Sequence, residues 1–178
     1  MTRASLPLTG VLLVGGASAR FGSPKALALF RGETLAERGH RLLAEVCDEV
    51  LVVGKAGELR GLPFPVVDDG TLERAPIHGL VAGLRHAANE TVVALPVDVP
   101  LATADALRAL GAARAVPSSR VPLPGAYPRA LLPVLESRIA TGELSLRGVN
   151  ETTLEIPAVL LADADTPAAL ADLERRDD

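Results

Sequence analysis

The sequence predicts an α/β fold: a single Rossmann-like three-layer domain over residues 1–178, with a mainly parallel sheet. Three observations carry this expectation. Short apolar runs such as Val11-Leu12-Leu13-Val14 and Val50-Leu51-Val52-Val53 close directly on Gly15-Gly16 and Gly54, the pattern of strands buried on both faces. Segments of helical periodicity alternate with those runs, as in βαβ units. The chain has 178 residues, 48% hydrophobic and 22% charged with a net charge of −4. That is one domain's worth of chain, able to bury a core and too apolar to stay disordered.

The elements follow in order. After the first strand, Thr34 is placed to cap a helix in which Leu35, Leu42, Leu43 and Val46 share a face. Val50 to Val53 form the second strand. Pro65-Val66-Val67 make a short strand that ends in the turn Asp68-Asp69-Gly70. His78 to Ala88 is helical in pattern, with Leu80, Val81 and Leu84 apolar. Val92 to Pro96 is the next strand and delivers Asp98 at its carboxyl end, and Thr103 caps a helix through Leu110. From Ala113 to Tyr127 prolines interrupt any regular pattern, which reads as strands joined by loops. Leu131 to Ala140 is helical with Pro133 early in it, and Leu154 to Leu161 offers another strand. Thr166-Pro167 pairs a cap with a first-turn proline and opens a last helix through Arg175.

Composition excludes several function classes. No apolar run approaches the ~18 residues of a membrane span. The first apolar run passes straight into a glycine-rich loop bearing Arg20 and Lys25, unlike a secretory signal. The one cysteine, Cys47, excludes an internal disulfide and fits a reducing, cytoplasmic setting. Four aromatic residues, three Phe and one Tyr, with no Trp, leave nothing on which single-stranded nucleic acid would stack. The expected partners are therefore small molecules, with no nucleic acid and no membrane, bound by a monomer or weak homo-oligomer.

Ligands of such sheets bind beyond the carboxyl ends of the strands. The first loop there reads Gly15-Gly16-Ala17-Ser18-Ala19-Arg20-Phe21-Gly22-Ser23-Pro24-Lys25. Its glycines let backbone N–H groups converge on phosphate oxygens, and Arg20 and Lys25 add full positive charge. The loop has neither G-x-G-x-x-G nor G-K-[ST], so a dinucleotide site or a P-loop is disfavoured. Of 18 basic residues only two are lysines, and one of them, Lys25, falls in this loop. A tight strand exit with two solvated cations is the plain structural alternative.

The string Leu13-Val14-Gly15-Gly16-x-Ser18-x-Arg20-Phe21-Gly22-x-x-Lys25 resembles the signature of the molybdenum cofactor guanylyltransferases and their nucleotidyltransferase relatives. The family pattern is close to L-A-G-G-x-S-x-R-M-G-x-D-K; here Val14 stands for Ala, Phe21 for Met and Pro24 for Asp. The resemblance covers most of the chain in element order. It implies a fold of the nucleotide-diphospho-sugar transferase type and transfer of GMP from GTP to Mo-molybdopterin, with Mg²⁺ as cofactor and pyrophosphate released. It also implies roles: Lys25, Arg20 and Asp98 in catalysis, and Leu13, Gly15, Gly16, Ser18, Gly22, Asp69 and Gly79 with them in nucleotide binding. Asp98 and Asp165 are its metal ligands.

The carboxylates have readings of their own. Asp98, just past a buried strand, suits a hard divalent ion that takes one or two carboxylates plus phosphates; an Asp there also serves as a turn or cap residue. In the family an Asp at the third strand's end lies near the base and sugar or the metal region, which favours Asp69 over Asp68, although Asp68-Asp69-Gly70 reads equally as an ordinary turn. Pro76-Ile77-His78-Gly79-Leu80 resembles the family's G-P-L-A-G-[IL], with Ile77-His78 taken as an insertion. Gly79 then either meets the nucleotide at a helix N-terminus or packs helix on sheet, as Gly83 does. Asp163-Ala164-Asp165-Thr166-Pro167 resembles N-x-N-T-P, and Asp165 or Thr166 also suits the last helix cap.

His40, His78 and His86 do not cluster at ligand spacing and receive no role. Gly15-Gly16 resembles the guanylyl rather than the cytidylyl branch, whose pattern is L-A-A-G, and so favours GTP. The alternatives are a CTP-using molybdopterin cytidylyltransferase, another phosphate-acceptor guanylyltransferase, and a non-catalytic nucleotide-binding relative, the last kept open by Pro24.

Overall fold

The structure is a computed structural model that describes residues 6–15, 21–119 and 121–176. Its strands are β1 (Leu8–Leu13), β2 (Leu29–Phe30), β3 (Glu33–Thr34), β4 (Glu49–Gly54), β5 (Val66–Asp68), β6 (Thr91–Pro96), β7 (Val116–Pro117), β8 (Gly125–Pro128) and β9 (Thr153–Leu154). The helices are α1 (Leu35–Ala44), α2 (Pro76–His86), α3 (Ala104–Ala113), α4 (Leu132–Ala140) and α5 (Pro167–Arg175). The main sheet has five strands in the order β5-β4-β1-β6-β8. All its pairings are parallel except β6 with the edge strand β8.

Period-two alternation in the buried strands feeds two separate cores. Leu8, Leu12, Val52, Val93 and Leu95 point into one, with Leu43 of α1, Leu107 of α3 and Leu170 of α5. Val11, Leu13, Val53, Val92 and Ala94 point into the other, with Leu80 and Leu84 of α2 and Leu135 of α4. Helices thus cover both faces of one sheet, giving the three layers.

Caps start the helices where the sequence places them. Thr34 and Glu37 form a reciprocal capping box on α1, Thr103 caps α3, and Thr166 caps α5 ahead of Pro167. Of the boundaries that differ from expectation, three have plain physical causes. β1 begins at Leu8 rather than Val11, because Thr9 is fully buried with its hydroxyl donating to Glu49 at 2.7 Å. α2 begins at Pro76, two residues ahead of His78, since proline suits the first helical turn. The strand expected over Leu154 to Leu161 stops after Leu154; Pro157 supplies no donor and leads into a 3₁₀ turn over Ala158–Leu161.

α2 lies close on β1 because Gly83 has no side chain. A Cβ there would stand 2.7 and 2.9 Å from the two γ-methyls of Val11, a fully buried β-branched residue with one easy rotamer. Gly83→Ala gains about 1 kcal/mol of helix propensity but loses about 1–3 kcal/mol to overpacking. The expected outcome is a net loss of about 1 kcal/mol, seen as a lower midpoint in urea unfolding.

Candidate active site

The chain moves outward from β1 through β4 to β5, then crosses to β6 on β1's other side. The carboxyl ends of β1 and β6 therefore flank the switch point where α/β sheets open a crevice. Pairing continues past both strands: Val14 N–H donates to the Val53 carbonyl at 2.9 Å and Val97 N–H to that of Leu13 at 3.0 Å. Gly15 and Asp98 are thereby held beside each other at the sheet rim.

Lys25 opens a short 3₁₀ turn, Lys25–Leu27, behind Pro24. Its side chain is only 7% exposed, and its ammonium lies 3.1 Å from Asp98 Oδ2 and 3.1 Å from Asp165 Oδ1. The Phe21 ring centroid sits 5.5 Å from the same nitrogen, so the phenylalanine that replaces Met in the motif shields the ammonium from one side. Gly22 adopts φ +69° with open space around it, a backbone requirement rather than a close approach. Thr166, not Asp165, caps α5, its hydroxyl accepting from Ala169 N–H at 3.1 Å. The Ala164 N–H donates to the Asp98 carbonyl at 2.8 Å, which docks this acidic segment onto the end of β6.

Lys25 and Asp98 line a cleft of about 380 Å³, together with Leu13, Gly15, Pro76 and Asp163. Val121, Leu123 and Leu161 add apolar lining, so the cleft combines charged groups with apolar surface that suits a flat or apolar group. Gly16, Ser18 and Arg20, expected on the phosphates, lie outside the described residues.

The residues present fit a divalent ion. Two hard carboxylate oxygens, from Asp98 and Asp165, converge on one point now filled by ammonium charge. Magnesium takes one or two carboxylates and completes its octahedron with phosphates and water. Among the described residues no three His, Cys, Asp or Glu side chains gather as a cage, in keeping with a shell that substrate completes.

Two expected site residues have structural partners of their own. Gly79 is inside α2, where a Cβ would stand 2.8 Å from Leu13 Cδ2; it packs helix against sheet. The segment around it holds no insertion, since α2 runs unbroken from Pro76 and Ile77-His78 stand where the motif has Leu-Ala. His78 is buried with its Nε2 2.9 Å from Glu73 Oε2. Asp69, 6% exposed, gives both carboxylate oxygens to the ammonium of Lys55 at 2.6 and 2.8 Å. The turn role falls to Asp68, whose carboxylate accepts from the N–H groups of Gly70 and Ala56 and is held below its usual pKa by those bonds, Gly70's first. Sequence reasoning missed Lys55 altogether. The signal was available: it is the other of two lysines, and it directly follows the glycine that ends β4.

The family match decides what such a site belongs to. Residues 10–156 match the model of the MobA-like NTP transferase domain. The chain belongs to that family. A Deinococcus radiodurans relative, named a probable molybdenum cofactor guanylyltransferase, is 34% identical, with 96% of each chain covered. A solved Aquifex aeolicus protein is 32% identical with a TM-score of 0.71, covering 89% of this chain and 93% of its own. Molybdopterin-guanine dinucleotide biosynthesis protein A of Archaeoglobus fulgidus shares the fold at a TM-score of 0.76, 20% identity, and coverage of 94% and 97%.

Cys47 takes no part. Burial, with a smaller contribution from Asp48, pushes its thiol up to about 12. At pH 8 the folded protein should react with Ellman's reagent about tenfold more slowly than the urea-unfolded chain, because only the thiolate attacks.

Proposed function

We propose that this protein is a molybdenum cofactor guanylyltransferase, a nucleotidyltransferase that moves GMP from GTP to Mo-molybdopterin. It would work in the cytoplasm as one nucleotidyltransferase domain over residues 1–178, monomeric or weakly self-associated. The observation that supports this most is the meeting of Lys25, Asp98 and Asp165 beside Gly15, in a chain that matches its Deinococcus relative end to end.

The chemistry asks for positioning and charge, with little covalent work from the protein. A terminal phosphate oxygen of the acceptor attacks the α-phosphorus of GTP. The bond from that phosphorus to the β-bridging oxygen breaks, and its electron pair leaves with pyrophosphate. The acceptor phosphate is already anionic near neutral pH, so no strong base is required and the structural roles of the histidines are no obstacle. Lys25 carries the positive charge that meets β- and γ-phosphate oxygens, while the Gly15 backbone lets the chain approach them closely. Asp98 and Asp165 would hold Mg²⁺, which when bound neutralises charge at the α-phosphate. The apolar lining of Val121, Leu123 and Leu161 suits the pterin of the acceptor. Gly15-Gly16, through the family resemblance, point to GTP over CTP.

Two measurements test this. In a thermal-shift series with Mg²⁺ and GTP, CTP, ATP or UTP, GTP should raise the midpoint most, since selective binding stabilises the folded state; equal stabilisation by CTP would refute the base assignment. Asp98→Asn should lower pyrophosphate release with GTP and molybdopterin by about 100-fold or more while GTP still binds measurably, and full activity would remove Asp98 from the mechanism.

A further inference from the structure

Arg38 lies on α1, and the chemistry above makes no use of it. Its side chain is 17% exposed, and its guanidinium stands 5.3 Å from the centroid of the fully buried Phe30 ring. Its Nη1 donates to Glu33 Oε1 at 3.2 Å, although Arg41 already donates to the same oxygen at 2.7 Å. The shorter bond of Arg38 goes elsewhere. Its Nε donates at 2.6 Å to the carbonyl of Pro100, two residues beyond Asp98. A charged donor makes such a bond about twice as strong as a neutral one.

The turn that carries Asp98 needs support from outside. Within it, Val99 N–H reaches the Pro96 carbonyl at 3.4 Å and Ala102 N–H that of Val99 at 3.3 Å, both beyond the usual range of a strong bond. Pro100 has no N–H to contribute. Two shorter bonds come from other segments: Ala164 N–H on the Asp98 carbonyl at 2.8 Å, and Arg38 on Pro100.

The helix that bears Arg38 is also tied to Lys25. α1 is seated on β1 at Gly39, where a Cβ would stand 2.5 Å from Leu12 Cδ1, so the distance of Arg38 from the sheet is set by packing. At the start of α1, Leu35 N–H donates to the Ala28 carbonyl at 2.9 Å, and Ala28 N–H donates to that of Lys25 at 3.0 Å. A closed circuit results, running from Lys25 through Ala28, Leu35, Arg38, Pro100 and Asp98 and back to the ammonium across 3.1 Å. Breaking it at Arg38 loosens the turn of Asp98 without altering either charged group. We propose that Arg38 is a positioning residue: through the Pro100 carbonyl it aims the Asp98 carboxylate at the point where a divalent ion would be held. This rests on the nucleotidyltransferase reading.

The test titrates GTP calorimetrically, with Mg²⁺ and with the metal chelated, into the full chain and its variants; the readout is the gain in GTP affinity that Mg²⁺ confers. Arg38→Met should cut that gain about tenfold, as loss of a metal ligand's outer partner does, and leave GTP affinity without metal within about threefold. Arg38→Lys keeps a cationic donor and should recover most of the gain. In an Asp98→Asn background Arg38→Met should cost less than about a further twofold, because residues that act through one another are not additive. Should Arg38→Met fail to fold, Arg38→Gln, too short for the Pro100 carbonyl, carries the same comparison. An unchanged gain in a folded variant, or the same tenfold loss with and without Asp98, overturns the assignment to Arg38. A gain that Asp98→Asn leaves intact removes the metal from Asp98, and this proposal with it, while GTP binding stands. A wild-type chain that binds no GTP overturns the nucleotidyltransferase reading itself.

Discussion

The Lys25 ammonium lies between the carboxylates of Asp98 and Asp165, residues 73 and 140 positions away in the chain. A buried lysine is tolerated only when its charge is answered, so this contact fastens three segments at once: the loop after β1, the end of β6 and the approach to α5. The Ala164 N–H on the Asp98 carbonyl repeats the fastening in the backbone. Among the described residues, two carboxylates face the Lys25 ammonium here, and Asp163 lines the same cleft.

The sheet makes this possible by placing its reversal of direction between β1 and β6. Parallel pairing carries on beyond the strands through Val14 and Val97, so the first residues of both loops keep strand-like precision. The neighbouring strand β4 brings a second lysine, Lys55, to the same rim.

Much of this was legible in the chain, for physical reasons that can be named. Buried parallel strands announce themselves as apolar runs closed by glycine, and Thr34, Thr103 and Thr166 announce helix starts by their capping chemistry. Thr9 and Gly10 hid the first half of β1, because a buried hydroxyl bonded to Glu49 looks like surface when read alone. Pro157 hid the end of β9 inside an apolar stretch that periodicity cannot divide. The convergence of Lys25 with Asp98 was foreseeable from loop position and family pattern. The Lys55–Asp69 pair was not, since a strand-end lysine and a turn aspartate each have ordinary explanations until the fold sets them 2.6 Å apart. Gly79 carried two readings in the sequence, and the packing one is visible in the fold, where Leu13 fills the space beside it.

The backbones at Gly15 and Gly54 touch so closely that a methyl group on Gly54 would come within 2.9 Å of the Gly15 nitrogen. Any side chain at position 54 would therefore displace the backbone of Gly15, which lines the cleft. Positions 57, 58 and 72, exposed on the rim of an adjoining hollow, carry no such penalty. Substitutions are thus welded to the cleft's backbone along one seam and separable from it a few residues away.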